Sequence, residues 1–292
     1  MKKRVFGAVL MAAAMAMTAC GGSAPAPTTA APAATEAAKT EAAAEEKTEA
    51  AAEEKTEAAA ETEAAAALET VQPGKLVMCT NAEFPPYEYH DANDIVGIDV
   101  DICRAIAEKL GLELEIEDIA FDSIIPEVVS GKADLGAAGM TVTEDRKQNV
   151  DFSDTYAHAS QVIIVREDSE VAGPDDLAGK LVGVQQGTTG DIYISGDLGD
   201  EAVERYAKGM EAVQALAQSK IDAVVIDGEP AKKYVEEVAG LKILDDSYTD
   251  EDYAIAVKKG NTALVEAINE ALAELKADGT LDEIVAKYIQ AE

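Results

Sequence analysis

From Lys75 onward the chain alternates short apolar runs with stretches whose apolar residues recur every three or four positions, and that alternation admits little besides a layered α/β fold. Residues 76–80, 112–116, 133–138, 161–165, 181–184, 223–226, 241–244 and 253–257 read as strands. Residues 99–110 carry Val100, Cys103, Ile106, Ala107 and Leu110 at helical spacing, and Gly111 ends them. Residues 122–130, 210–219, 229–238, 262–276 and 281–289 read as helices in the same way. Residues 81–89 predict a loop, because Pro85 and Pro86 suit neither ladder nor helix. A stretch of about 220 residues suffices for one large α/β core or two modest ones.

Two segments ahead of Lys75 stand outside any such core. Lys2, Lys3 and Arg4 form a basic start, followed by an uncharged Ala/Met/Val/Leu run over 5–17 that is too short to span a bilayer and has the proportions of a signal peptide. Met17-Thr18-Ala19-Cys20 resembles the lipobox of a bacterial lipoprotein, which implies cleavage before Cys20, a lipidated thiol and an acylated amine. Several acyl chains hold a protein on a membrane durably. Residues 21–72 then read as a tether: 40–47 (TEAAAEEK) recurs as 48–55, and with nothing larger than Ala these repeats cannot bury a solenoid core. Their composition is that of a semi-rigid, solvated spacer.

Charge narrows the partners. Lys plus Arg number 24 against 57 Asp plus Glu, a net −33, and no basic footprint for nucleic acid exists beyond the first few residues. Cys79 sits in an apolar strand pattern and Cys103 on an apolar helix face, so both read as small buried hydrophobes rather than a disulfide. His90 and His158 lie in a polar turn and a connecting segment, and no HExxH, GxSxG or Ser/His/Asp pattern accompanies them.

Ligands of open α/β sheets bind beyond the carboxyl ends of strands, which points to the loops after Thr80, Ala138, Val184 and Ile226. The first offers Asn81 and the rings of Phe84, Tyr87 and Tyr89. In the second, Gly139-Met-Thr141-Val-Thr143-Glu-Asp-Arg146 supplies backbone amides, hydroxyls and a guanidinium, the donors that grip a carboxylate. On local grounds Arg146 serves equally as a surface partner of Glu144 or Asp145. The third, Gln185-Gln-Gly187-Thr188-Thr189-Gly190, lacks the lysine and spacing of a phosphate loop. In the fourth, Asp227 reads either as a helix N-cap or as a counter-charge for an ammonium group.

Gly97-Ile-Asp99-Val-Asp101-Ile102, with Ile106, Ala107 and Leu110, resembles the signature of bacterial family 3 extracellular solute-binding proteins, the polar amino-acid receptors of ABC importers. The Gly139 to Arg146 segment and Val150-Asp-Phe-Ser-Asp-Thr-Tyr156 resemble the same family, in the same order, and the resemblance runs over residues 75–289. It implies a two-lobed periplasmic-binding-protein-like α/β fold with a discontinuous first lobe (73–157 and 253–292), a second lobe (161–248) and hinges near 157–160 and 249–252. It further implies that Arg146, with Thr141 and the backbone at Gly139, binds an α-carboxylate and that Asp227 takes the α-ammonium. Thr189 then touches the carboxylate on closure, Phe84 and Phe121 wall the side chain, and Asn81 and Gln185 set selectivity. Where basic amino-acid binders of the family often carry an acid this chain has Asn81, and where glutamine binders often carry lysine it has Gln185, a neutral pair that favours a neutral polar ligand or broad selectivity.

The expectation is therefore a monomeric, lipid-anchored receptor outside the cytoplasmic membrane. It delivers an L-amino acid to an ABC permease, without cofactor, metal or catalysis. Two other readings share the fold: an exported enzyme resembling cyclohexadienyl dehydratases, and a sensory module that reports ligand to a signalling receptor.

Overall fold

The computed structural model describes residues 68–289; the leader with Cys20, and the tether up to residue 67, lie outside the described residues. The described chain builds two α/β units, each on its own sheet. In the first sheet Glu113–Asp118 (β5), Lys75–Thr80 (β1), Leu135–Gly136 (β6), Ala256–Lys258 (β14) and Val150–Phe152 (β7) lie side by side in that order. The β5, β1 and β6 strands run parallel, and β14 is antiparallel to both its neighbours.

The unbroken apolar run of β1 follows from burial on both sheet faces. Leu76 and Met78 pack with Ile102, Cys103 and Ile106 of helix Ile98–Lys109 and with Leu264, Ile268 and Leu272 of helix Thr262–Ala277. Val77 and Cys79 face the other way, onto Ile124 and Val128 of helix Ile124–Ser130. Both cysteines of this unit are free and buried.

The second sheet orders Val203–Tyr206 (β10), Val182–Gln185 (β9), Ala223–Asp227 (β11), Ala157–Arg166 (β8) and Leu241–Ile243 (β12), with Thr249–Tyr253 (β13) on the other half of β8. Along β8, Ile163 and Val165 join Val182, Val184, Val225 and Ile194 on one face. Ile164 joins Val224, Ile226, Leu216 and Tyr234 on the opposite one. The chain enters this sheet along β8 and leaves it along β13, two antiparallel strands paired from Ala157↔Tyr253 to Gln161↔Thr249. No helix among the described residues is long and apolar enough to cross a membrane.

Two segments differ from the sequence expectation. The loop expected at 81–89 is a hairpin, in which Glu83–Phe84 (β2) pairs with Glu88–Asp91 (β3) and Asp94–Val96 (β4) adds a third strand. The prolines occupy its turn, where no ladder N–H is required of them. The strand expected at 253–257 is divided, because Tyr253 ends β13 in the second sheet and Ala256 starts β14 in the first.

Candidate functional site

The loops beyond the carboxyl ends of β1, β6 and β9 meet in a tight cleft lined by Asn81, Phe84, Phe121, Gly139, Thr141, Arg146, Gln185 and Thr189, together with Glu88, Ala138 and Thr188. Only about 10 Å³ of it is open to the centre of a water-sized sphere. That is room for about one water, so a solute of several atoms enters only when the two units separate.

Arg146 sits on the four-residue helix Glu144–Lys147, whose start is fixed by the Thr143 hydroxyl accepting from the Arg146 N–H at 3.2 Å. Its side chain turns inward and is 6 % exposed; it pairs with neither Glu144 nor Asp145. The guanidinium donates through Nη1 to the Thr141 carbonyl (2.8 Å) and through Nη2 to the Gly187 carbonyl (3.2 Å) of the other unit, and it lies 5.5 Å over the Phe121 ring. Burial lowers its pKa, against the opposing pull of Glu251 and Asp227.

Gly139 is required twice over. Its φ of +54° suits glycine, and a Cβ there would stand 2.8 Å from the Phe84 ring. Thr189 opens helix Thr189–Leu198, capped by the Thr188 hydroxyl, so the positive end of that helix faces the cleft.

Asp227 does not line the cleft proper. It stands at the N-cap position of helix Gly228–Glu237 but makes no capping bond. Its carboxylate instead accepts from Gln161 Nε2 at 2.8 Å and from the Tyr253 hydroxyl. Gln161 Nε2 also donates to Glu251 Oε2 (2.9 Å), as does the Thr141 hydroxyl (3.0 Å), which ties the second unit's carboxylates to the loop of the first unit that carries Thr141 and Arg146. Burial, and then the charge of Glu251, raise the Asp227 pKa to about 7.

Asn81 and Gln185 meet directly, Gln185 Nε2 donating to Asn81 Oδ1 at 2.8 Å, while Asn81 Nδ2 is engaged by the Ile119 carbonyl at 2.9 Å. Further contacts join the units around them. Gln186 Nε2 donates to Asp122 Oδ2 at 2.6 Å, the Tyr234 hydroxyl donates to the Glu83 carbonyl at 2.6 Å, and Lys208 pairs with Glu83.

Sequence reasoning missed four polar residues. Glu88, on β3, is wholly buried and lines the cleft, yet neither carboxyl oxygen has a hydrogen-bond partner of good geometry. Asp99 lies behind it, its Oδ2 accepting from the Gly139 N–H (2.8 Å) and the Tyr156 hydroxyl (2.6 Å) while Oδ1 stays unpartnered. Gln161 and Glu251 are the others. Signals existed for two of these. Asp99 falls four residues before Cys103 and seven before Ile106 on the buried helix face. Glu251 alternates with the exposed Asp250 and Asp252 along β13.

A larger open concavity of about 870 Å³ overlies the crossing strands, with His158, Asp250, Glu251 and Asp252 on its walls. It contains neither Arg146 nor Asp227 and shares only Thr141 with the cleft. Among the described residues, no group of three or more His, Cys, Asp or Glu side chains is placed to hold a metal ion.

The family model of bacterial extracellular solute-binding proteins, family 3, matches residues 76–291. The chain belongs to this family. A probable histidine-binding protein of Neisseria gonorrhoeae is 36 % identical over 228 residues, covering 75 % of this chain and 85 % of its own. Among solved structures, an ancestral arginine-binding protein bound to arginine superposes with a TM-score of 0.71 at 43 % identity, covering 74 % of this chain and 98 % of that one. An ancestral arginine-binding protein bound to glutamine gives 0.70 at 42 %, covering 75 % and 100 %. The two α/β units are thus the lobes of a two-lobed periplasmic-binding-protein fold.

Proposed function

We propose that this family member binds an L-α-amino acid with a positively charged side chain, arginine foremost, and delivers it to an ABC permease. The observation that carries this reading is the charge inventory of the cleft and of the buried groups around it. One buried cation, Arg146, stands among the buried carboxyls of Glu88, Asp99, Asp227 and Glu251. A zwitterion sheds hydration only where both its charges are matched. Arg146 answers the α-carboxylate with donors beyond those given to Thr141 and Gly187, and Asp227 answers the α-ammonium.

Thr141, Thr189 and the Gly139 backbone complete the carboxylate pocket, and Phe84 and Phe121 wall the side chain. Asn81 and Gln185 are engaged with each other across the lobes, so the side chain's charge falls to Glu88. The names of the relatives, arginine, histidine and glutamine binders, support an amino-acid ligand and leave its charge to this geometry.

The lobes, 73–157 with 253–292 and 161–248, open about the paired strands near 157–160 and 249–252. Cys20 carries the lipid, and 21–72 tether the receptor to the outer face of the membrane. Substitution Cys20→Ala is expected to release it to the soluble fraction of cells.

Calorimetry with L-arginine, L-lysine, L-histidine and L-glutamine tests the ligand. Removing one partner of a buried charge pair costs about 3–5 kcal/mol, more than two decades of affinity. Arg146→Ala and Asp227→Ala are therefore expected to abolish measurable arginine binding while circular dichroism stays unchanged. Near-wild-type affinity in either variant would overturn the assignment of that residue.

A further inference from the structure

Glu88 and Asp99 come from different elements, the β2–β3 hairpin and helix Ile98–Lys109, and bring two carboxyls into the first lobe's interior, where each acts on the other. Both are wholly buried. Two adjacent carboxylates in a low-dielectric site do not both ionise, and the one whose anion is better served by donors keeps the charge. Asp99 has the Gly139 N–H and the Tyr156 hydroxyl. Glu88 has no donor of good geometry, and it faces the cleft.

The groups that face the pair are Tyr87 beside Glu88, Cys103 one turn after Asp99, Tyr156, and across the cleft Asp227 and Tyr234. Arg146 lines the same cleft as Glu88, but the carboxylates that act on it are Glu251 and Asp227 rather than this pair. Burial first, and then Asp99, hold the Glu88 carboxyl well above the ordinary carboxylate range, and burial raises Asp99 to about 6.

We propose that Glu88 holds the proton of the pair at neutral pH, releases it to solvent when a ligand's cationic side chain enters, and keeps it to donate when the side chain is a neutral amide. In the first case the Glu88 O–H bond breaks, its electron pair stays on the carboxylate, the proton leaves to water, and the guanidinium N–H groups donate to the new anion. In the second, the acid O–H donates to the amide carbonyl of the ligand and no proton moves. Resting on the amino-acid reading above, this makes Glu88 a specificity-determining residue whose preference depends on pH. Below the Glu88 pKa, arginine binding strengthens up to about tenfold per pH unit while glutamine binding stays flat.

The test is titration calorimetry of the protein with L-arginine and with L-glutamine at pH 6, 7 and 8, in buffers of differing ionisation enthalpy. Expected are close to one proton released per arginine, none per glutamine, and an arginine-to-glutamine affinity ratio that climbs with pH in the wild type but is flat in Glu88→Gln. Equal proton counts for the two ligands, or release that survives in Glu88→Gln, would overturn the proposal. The wild-type counts decide the point even if the variant does not fold.

Infrared spectroscopy of the ligand-free protein supplies a check that needs no ligand. A protonated-carboxyl C=O stretch is expected at pH 7, part of it from Asp227, and it weakens in Glu88→Gln; a band that Glu88→Gln leaves unchanged, or none in the wild type, overturns the proposal. A band present while neither amino acid gives heat counts against the cationic-ligand reading, and with it against the release step.

Discussion

Asp227 illustrates how a single buried carboxyl writes its protonation state into stability. Its pKa in the fold, about 7, lies above the 3.8 of an exposed aspartate. A group raised in this way contributes stability that is complete below about 3.8 and is lost as pH rises through about 7. The melting temperature of the ligand-free protein is therefore expected to fall between pH 5 and pH 8, on the order of 5 °C from this group. General repulsion within so acidic a chain acts in the same direction, so the informative comparison is with Asp227→Asn. That variant keeps the repulsion and loses the titration, and its melting curve should depend less on pH. An unchanged pH dependence would show that Asp227 is already ionised near neutrality. At this scale the sequence was legible as to place where a residue type stood at a strand end beside the right neighbours: Arg146 and Thr141 line the cleft, and Asp227 is buried at the end of β11. It was silent on Glu88, whose setting between Tyr87 and Tyr89 in a proline-rich stretch reads as exposed loop. Only the hairpin fold turns that side chain inward.

The elements that join the lobes carry a prediction about closure. Gly187 has φ +78°, and a Cβ built on it would stand 2.9 Å from the Asp122 Cβ of the other lobe. The left-handed backbone costs an alanine about 1–2 kcal/mol, a penalty paid alike in the open and closed arrangements. The clash with Asp122 exists only when the lobes meet. Ligand affinity reads only that difference, and overpacking of this kind costs roughly 1–3 kcal/mol. Gly187→Ala is therefore expected to weaken arginine binding about 5- to 150-fold, and Gly187→Ala with Asp122→Gly to recover most of it. Lys208→Ala removes the partly exposed pair with Glu83; such pairs are worth about 0.2–1 kcal/mol, so its loss should be fivefold at most and should vanish in high salt. Equal losses in low and high salt would assign the effect to packing instead. The helices and core strands were readable from periodicity, because burial on one or both faces leaves a regular apolar pattern. The short strands β2, β3 and β4, and the passage between sheets at Tyr253 and Ala256, were not. They are fixed by pairing with distant strands rather than by any local repeat.

At the scale of the whole molecule, the lobes communicate through two strands and through whatever lies in the cleft. The cleft admits about 10 Å³ when the lobes are together, so on the proposed function binding and release go with their separation about β8 and β13. Chemistry already present makes this measurable. Cys79 and Cys103 are buried, and burial pushes the Cys79 thiol up to about 12 and the Cys103 thiol well above its usual range. Neither forms thiolate near neutral pH, and the thiolate is the form that takes a label. Val129, 43 % exposed on the first lobe, and Ile192, 45 % exposed on the second, are natural label positions. Spin labels on Val129→Cys and Ile192→Cys, in a chain carrying Cys20→Ala, should show a narrow distance with saturating arginine and a longer, broader one without it. Gly187→Ala should shift the ligand-free distribution further toward the long distance, since it disfavours only the closed contact. Identical distributions with and without arginine, in a protein that calorimetry shows to bind it, would mean that the lobes do not rotate and that the ligand reaches Arg146 by local loop opening alone.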